Sequence, residues 1–290
     1  MSSLHESFTG AARNRLAADV FGDAGRPVLL LHGGGQTRHA WRRTAVEIAR
    51  AGWVAYAVDQ RGHGESEWIA TGAYAFQDFA DDVTTVAAEL ARRHGAVPVT
   101  IGASLGGIAA LLAAGNAQDR NLSPTFAALV LVDITPRVDL TGVAKVQGFM
   151  REHARDGFAT VEEAADAVAA YLPHRPRPRS TEGLKKNLRL HPDGRWRWHW
   201  DPRFLDGRRP VGGGRGDVEE RLLAAARGLK MPAMLVRGGS SELVQEEHAK
   251  EFLALVPHAR FADVSGARHM VAGDKNDQFS VAILEFLKSL

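Results

Sequence analysis

The chain has 290 residues, of which 45% are hydrophobic, so it is long enough to bury one large core or a core with an inserted segment. Its 36 basic and 34 acidic residues leave a formal net charge of +2, which gives no electrostatic argument for nucleic-acid binding. The sequence contains no cysteine, which excludes disulfides, thiolate catalysis and cysteine metal sites and is consistent with a cytoplasmic location.

The first six residues lack the basic and apolar regions of a secretory signal. No apolar run approaches the ~20 residues that a membrane-spanning helix needs. We therefore expect a cytoplasmic chain with no membrane partner. Nucleic acid is not expected as a partner either, because the basic residues form no recognised binding module.

Apolar strands alternate with helices through most of the chain. Strands are predicted at residues 16–21, 28–32, 54–59, 97–101, 127–133, 232–237 and 260–264, and helices at 41–51, 76–94, 105–115 and 275–289. The alternation predicts an α/β fold with a mostly parallel, doubly wound sheet, because helices that join parallel strands cover both faces of the sheet.

Residues 136–227 break this alternation between two core strands. The segment is rich in proline and holds three of the six tryptophans, and its predicted helices are 143–155, 161–172 and 182–190. The run Arg175–Arg179 alternates arginine with proline, which favours a solvated, extended linker over a basic binding patch. Trp196–Trp200 alternates aromatic with polar residues, so it is either a strand that packs its indoles or an aromatic wall for an apolar substrate.

A strand, the sequence Gly102-Ala103-Ser104-Leu105-Gly106 and an Ala/Leu-rich helix follow one another between residues 99 and 115. Such a strand–turn–helix places the serine on a sharp turn with its hydroxyl lifted out of the sheet. Gly102 and Gly106 allow strand and helix to approach closely. The alternative is a serine that merely caps the helix, but the strand before it and the helix after it favour a nucleophile.

Three further motifs, taken with this one, make the chain resemble the α/β-hydrolase superfamily. They are His32-Gly33-Gly34-Gly35 after an apolar strand, Asp59-Gln60-Arg61-Gly62-His63-Gly64-Glu65-Ser66, and Gly266-Ala267-Arg268-His269-Met270 before the last helix. The resemblance implies a core of residues 1–135 and 228–290, with residues 136–227 inserted after the sixth core strand as a mainly helical cap.

The resemblance also implies a catalytic triad with Ser104 as nucleophile and His269 as base, in the chain order serine, acid, histidine. The acid must fix the imidazole tautomer. Glu242, which follows a predicted strand where relatives most often carry Asp, is the preferred acid. Asp133, at the end of the preceding strand, is the alternative, since some members of the superfamily take the acid from there.

The backbone N–H groups of Leu105 and Gly34 are expected to form the oxyanion hole. Loops near the predicted pocket mouth carry His39 and Trp41, and the cap carries Trp198 and Trp200, so these four residues are candidate pocket residues. No metal and no organic cofactor are implied.

The resemblance implies a serine hydrolase that transfers an acyl group through an acyl-enzyme, and the preferred interpretation is a carboxylesterase acting on a small or medium apolar ester as its small-molecule substrate. A lactone or an amide is also compatible. The alternatives are a cofactor-free perhydrolase or peroxidase-like activity, which uses the same triad, and a receptor-like protein that binds a ligand and turns it over slowly. The physiological substrate and the oligomeric state do not follow from the sequence.

Overall fold

The computed structural model describes residues 2–120, 122–174, 180–271 and 276–290. The run Arg175–Arg179, interpreted above as a linker, lies outside the described residues. Within the described ranges, no helix is both long enough and apolar enough to cross a membrane.

Eight strands form the main sheet. They are β1 (Leu4–Thr9), β2 (Arg15–Phe21), β3 (Pro27–Leu31), β4 (Val54–Val58), β5 (Val99–Ala103), β6 (Ala128–Val132), β9 (Ala233–Gly238) and β10 (Arg260–Val264). Their order is β1-β2-β4-β3-β5-β6-β9-β10, and only the pairs β1–β2 and β2–β4 are antiparallel. The predicted α/β fold with a mostly parallel sheet is confirmed.

Helices cover both faces of this sheet. The helices of the described residues are α1 (Arg42–Arg50), α2 (Phe76–His94), α3 (Leu105–Asp119), α4 (Leu140–Glu152), α5 (Val161–Tyr171), α6 (Glu182–Lys185), α7 (Arg203–Asp206), α8 (Arg215–Arg227), α9 (Glu246–Leu255) and α10 (Asn276–Lys288). Of these, α4 to α7 do not cover the sheet but contribute residues to the cavity described below. Leu29 and Leu31 of β3 pack into the core on the side of α2 and α3, whereas Leu30 packs on the side of α1 and α10. The alternating directions of strand side chains explain why a central strand is apolar throughout.

Strands β3, β5, β6, β9 and β10 run parallel, so their carboxyl ends lie at one edge of the sheet. The loops that follow these strands therefore meet at that edge, which is where open α/β sheets bind ligands. The predicted nucleophile, base and both candidate acids come from four of these loops.

Part of the inserted segment differs from the prediction. The helix predicted at 182–190 ends at Lys185, and Leu188–Leu190 instead forms β7, which pairs antiparallel with β8 (Trp196–Trp198). The reason is the turn between them, where Pro192-Asp193-Gly194 reverses the chain and Gly194 adopts a φ of 77°.

Helix α8 lies within the predicted cap segment but packs on the helix layer of the sheet. A Cβ atom built on Gly115 of α3 would lie 2.6 Å from the Cβ atom of Ala225 in α8. Within the segment, α4 and α5 contribute residues to the cavity described below, and α8 does not. The division into core and cap stays a prediction, and this packing favours a cap that ends before α8.

Candidate active site

Ser104 occupies the sharp turn between β5 and α3. Its φ of 46° and ψ of −112° place a non-glycine residue in a sparsely populated conformation, which costs about 1–3 kcal/mol. The turn also requires glycines. A Cβ atom on Gly102 would lie 2.5 Å from the backbone of Gly106, and one on Gly106 would lie 2.5 Å from the carbonyl oxygen of Leu31. This conformation agrees with the strand–turn–helix that the motif predicts.

His269 lies in the loop after β10, and its Nδ1 atom is 2.7 Å from the Oδ2 atom of Asp133. Asp133 directly follows β6 and its side chain is fully buried. Its Oδ1 atom accepts a hydrogen bond from the Gly238 N–H at 2.8 Å, and its Oδ2 atom accepts one from the Ser241 hydroxyl at 2.6 Å. The carboxylate is thus fixed by donors from a neighbouring strand and loop, and it orients the imidazole through Nδ1.

The structure contradicts the preference for Glu242 as the acid that orients His269. The imidazole Nδ1 is bonded to Asp133, the residue that the sequence analysis held as the alternative. In the loop after β9, Ser241 points to Asp133, whereas the next residue, Glu242, lies on the wall of the cavity. The Oε2 atom of Glu242 is buried and has no hydrogen-bond partner among the described residues.

Ser104 and His269 line the same cavity. Among the described residues, no hydrogen bond joins the Ser104 hydroxyl to the imidazole of His269. Contacts between a nucleophile and its base are often long in unliganded sites and tighten when substrate binds.

The two predicted oxyanion-hole residues, Gly34 and Leu105, lie on the wall of this cavity. Leu105 is the first residue of α3, so its N–H has no acceptor within the helix. In the glycine loop, the Gly33 N–H donates to Gln36 Oε1 and the Gly35 N–H donates to His63 Nε2, each at 3.1 Å. These two bonds fix the loop on either side of Gly34.

His63 has to be neutral to hold this loop. Its Nδ1 atom lies 2.9 Å from the carbonyl oxygen of Arg61 and must donate to it, so Nε2 carries the lone pair that accepts from Gly35. Burial, together with the nearby His32, lowers the pKa of His63 to about 3. Burial also lowers the pKa of His32 to about 4. Both imidazoles are therefore uncharged near neutral pH.

The cavity has a volume of about 640 Å³. The glycine loop, the Ser104 turn and the His269 loop form one part of its wall, and α4, α5 and the chain around β8 form another. All four candidate pocket residues line it: His39, Trp41, Trp198 and Trp200. The side chains of Trp198 and Trp200 are buried, and Trp198 packs edge-on against Phe158 at 5.2 Å between ring centroids.

Sequence reasoning missed Ser241, Phe149 and Tyr171. Ser241 stands in a Gly-Gly-Ser-Ser run in which nothing marks which serine turns inward. Phe149 and Tyr171 stack with their ring centroids 4.1 Å apart and line the cavity. They come from two different helices, α4 and α5, so their meeting is a tertiary contact that no local pattern signals.

Comparison with known proteins agrees with this architecture. The model of the alpha/beta hydrolase fold family matches residues 26–275. Esterase Rv0045c of Mycobacterium tuberculosis is 32% identical over 267 residues, which cover 90% of this chain and 82% of the esterase. A crystal structure of that esterase has 29% identity and a TM-score of 0.74, and the match covers 100% of this chain and 92% of that one.

Two further proteins are similar to the chain. A crystal structure of E-2-(acetamidomethylene)succinate hydrolase has a TM-score of 0.82 with 99% of each chain covered, and at 21% identity this likeness shows the fold alone. Non-heme chloroperoxidase CPO-A1 of Kitasatospora aureofaciens is 27% identical over 91% of this chain and 92% of its own length. The esterase relative supports hydrolase activity. The chain belongs to the α/β hydrolase family.

Proposed function

We propose that the chain is a serine hydrolase that cleaves carboxylic esters through an acyl-enzyme on Ser104. The observation that carries this proposal is the 2.7 Å bond between Asp133 and His269 on the wall of a cavity that also contains Ser104. A serine hydroxyl is a weak nucleophile at neutral pH, so an oriented imidazole beside it is what acyl transfer requires.

In this mechanism the Ser104 oxygen attacks the ester carbonyl while His269 Nε2 takes the hydroxyl proton. Asp133 keeps the other ring proton on Nδ1 and stabilises the imidazolium that forms. The N–H groups of Leu105 and Gly34 stabilise the negative oxygen of the tetrahedral intermediate. The imidazolium then protonates the leaving alcohol, and a water molecule, deprotonated by His269, releases the acid from Ser104.

The cavity wall supports an apolar substrate. Away from the Ser104 turn, the wall consists mainly of aromatic and aliphatic side chains from α4, α5 and the segment 198–211. Burying an acyl or alcohol chain among them is favourable by ~25 cal/mol per Å² of apolar surface. We assign the part of the inserted segment that precedes α8 to a cap that determines which substrates bind. The catalytic residues lie in the loops that follow the strands of the sheet.

Perhydrolysis is the second candidate, favoured by the similarity to a non-heme chloroperoxidase. The same acyl-enzyme would then be attacked by hydrogen peroxide in place of water and would release a peracid. Peracid formed from an ester and hydrogen peroxide, at a rate above that of hydrolysis, would support this candidate.

The test uses short-chain 4-nitrophenyl esters and a fluorophosphonate probe. The native protein should turn over many equivalents of ester and bind the probe covalently at Ser104. Ser104→Ala should fold with the same circular dichroism and lose both properties. Labelling that persists in Ser104→Ala would refute the assignment of the nucleophile. Release of a single equivalent of nitrophenol with no further turnover would favour a receptor-like protein.

A further inference from the structure

Glu242 places a buried carboxylate oxygen on the wall of the active-site cavity without giving it a partner. Its Oε2 atom is shielded from solvent and accepts no hydrogen bond from any described residue. A carboxylate carries only acceptors, and leaving one buried and unpaired is unfavourable. The protein keeps this carboxylate although Asp133 already orients His269.

Aromatic side chains line the same cavity as Glu242. Burial, with the charge of Glu242 as the next cause, raises the pKa of Tyr171 to about 12, so the carboxylate lies within electrostatic reach of that ring. Tyr171 stacks on Phe149 at 4.1 Å, and Phe149 contacts Trp198 at 5.9 Å between ring centroids. All four side chains line the cavity. A carboxylate and several aromatic rings on the wall of one cavity are groups that attract a cation.

The cavity wall also carries cationic residues. Burial, with the charges of Arg38 and Lys186 among the further causes, lowers the pKa of His39. Lys186 is exposed and lines the cavity together with His39, so its charge acts there. Arg268 also lines the cavity and makes interactions of its own. Glu242 is the one carboxylate among the described residues that line the cavity.

We propose that the cavity accepts esters whose remote end carries an ammonium group, which Glu242 and the rings of Tyr171, Phe149 and Trp198 hold. This inference rests on the proposed function, because it assigns the substrate class of the Ser104 site. The ammonium group supplies the positive charge that the unpaired oxygen lacks, and the apolar wall holds the chain between the ammonium and the ester. No covalent step is added to the mechanism.

The test compares two 4-nitrophenyl esters of equal shape. One is the ester of 5-(trimethylammonio)pentanoic acid, and the other is the ester of 6,6-dimethylheptanoic acid, in which a carbon replaces the nitrogen. Each kcat/KM is divided by the rate constant of hydroxide-catalysed hydrolysis, which removes the inductive effect of the charge. We expect the cationic ester to be preferred roughly tenfold, the ratio that about 1.4 kcal/mol provides.

Two variants distinguish the effect of the Glu242 carboxylate from that of losing any one negative charge. Glu242→Gln should lower the preference for the cationic ester by about tenfold, while the fluorophosphonate probe still labels Ser104. Glu247→Gln removes the same charge from an exposed position in α9 and should keep the preference of the native protein. Butyltrimethylammonium should inhibit hydrolysis of the neutral ester competitively in the native protein, a measurement that needs no variant.

Equal normalised rates for the two esters, together with no inhibition by butyltrimethylammonium, would overturn the inference and leave the hydrolase assignment intact. Such a result would mean that water alone occupies the site beside Glu242. Failure to hydrolyse either ester, with no labelling of Ser104, would instead refute the proposed function.

Discussion

The hydroxyl of Ser241 donates a 2.6 Å hydrogen bond to the Oδ2 atom of Asp133. The same oxygen accepts from His269 Nδ1 at 2.7 Å, so one carboxylate oxygen ties the loop after β9 to the loop after β10. The Ser241 oxygen itself accepts from the N–H groups of Leu243 and Val244, each at 3.1 Å. Ser241 is thus a positioning residue for the carboxylate that positions the histidine.

Replacing this serine should weaken catalysis more than binding. Ser241→Ala removes a hydrogen bond to a charged group, worth about 1.5–3 kcal/mol, so we expect a loss of about 10- to 100-fold in kcat with little change in KM. Ser241→Thr keeps the hydroxyl and should recover most of the activity. The measurement is steady-state hydrolysis of a neutral nitrophenyl ester.

Ser240→Ala is the matched control for this substitution, because Ser240 is adjacent but exposed. A loss confined to thermal stability, with kcat intact in Ser241→Ala, would show that the hydroxyl serves only the two backbone N–H groups of its own loop.

Replacing Asp133 by Asn should lower kcat far more than replacing Glu242 by Gln. Asp133→Asn leaves the shape but permits the wrong imidazole tautomer, and the equivalent change in a serine protease lowers kcat about 10⁴-fold. Glu242→Gln should cost far less toward a neutral ester, because Glu242 makes no bond to His269. Parallel kcat measurements decide the order, and a larger loss in Glu242→Gln would reverse the assignment of the acid.

The sequence identifies those parts of the site that local structure determines. The proposed nucleophile follows from a strand, two close-packing glycines and a helix, all within residues 99–115, and the structure places Ser104 on that turn. His269 follows from its loop between the last strand and the last helix. The Ser104 turn depends on the close approach of Gly102 and Gly106, which are near each other in sequence. The loop motif predicts only where His269 lies, because its imidazole is oriented by the distant Asp133.

The proposed acid could not be chosen from the sequence in this way. Asp133 and Glu242 both follow apolar strands, and β6 and β9 are neighbours in the sheet, so both carboxylates reach the same edge. The choice depends on which side chain of the loop after β9 turns toward β6, and that side chain is Ser241. Strand β7 was missed for a similar reason, because its pairing with β8 depends on a turn and not on the periodicity of Leu188–Leu190.

The two buried histidines should make stability depend on pH. Their pKa values are about 4 for His32 and about 3 for His63, below the value near 6.5 of an unfolded histidine. Between about pH 4 and pH 6.5 the unfolded chain binds more protons than the folded one, so acidification lowers the free energy of unfolding. From pH 6.5 to pH 5 the loss in the free energy of unfolding is about 1.6 kcal/mol per histidine.

Urea denaturation at several pH values between 5 and 7.5 measures this dependence. His63→Gln removes one titrating group while its amide oxygen remains available to the Gly35 N–H, so the unfolding free energy should depend less steeply on pH. The exposed His258 provides the control substitution His258→Gln. An unchanged pH dependence in His63→Gln would show that His63 takes up its proton without unfolding the protein.

Trp198 should govern the length of the acyl chain that the cavity accepts. Its indole is buried against Phe158 and Phe149 and forms part of the cavity wall. Trp198→Phe replaces a bicyclic side chain with a smaller one, so the freed volume should raise kcat/KM for octanoyl relative to butyryl esters several-fold. Labelling of Ser104 by the small fluorophosphonate probe should change less, because the probe does not fill that volume.

Trp53→Phe gives the comparison for this substitution, since Trp53 packs under Arg26 and does not line the cavity. Full truncation, Trp198→Ala, should shift the chain-length preference further but cost about 3–5 kcal/mol of stability, because the surrounding rings cannot fill the space. The decisive quantity is the ratio of rates for the two acyl lengths. A uniform fall for all esters together with a lower Tm in Trp198→Phe would mean that the indole only packs the cap and does not select the substrate.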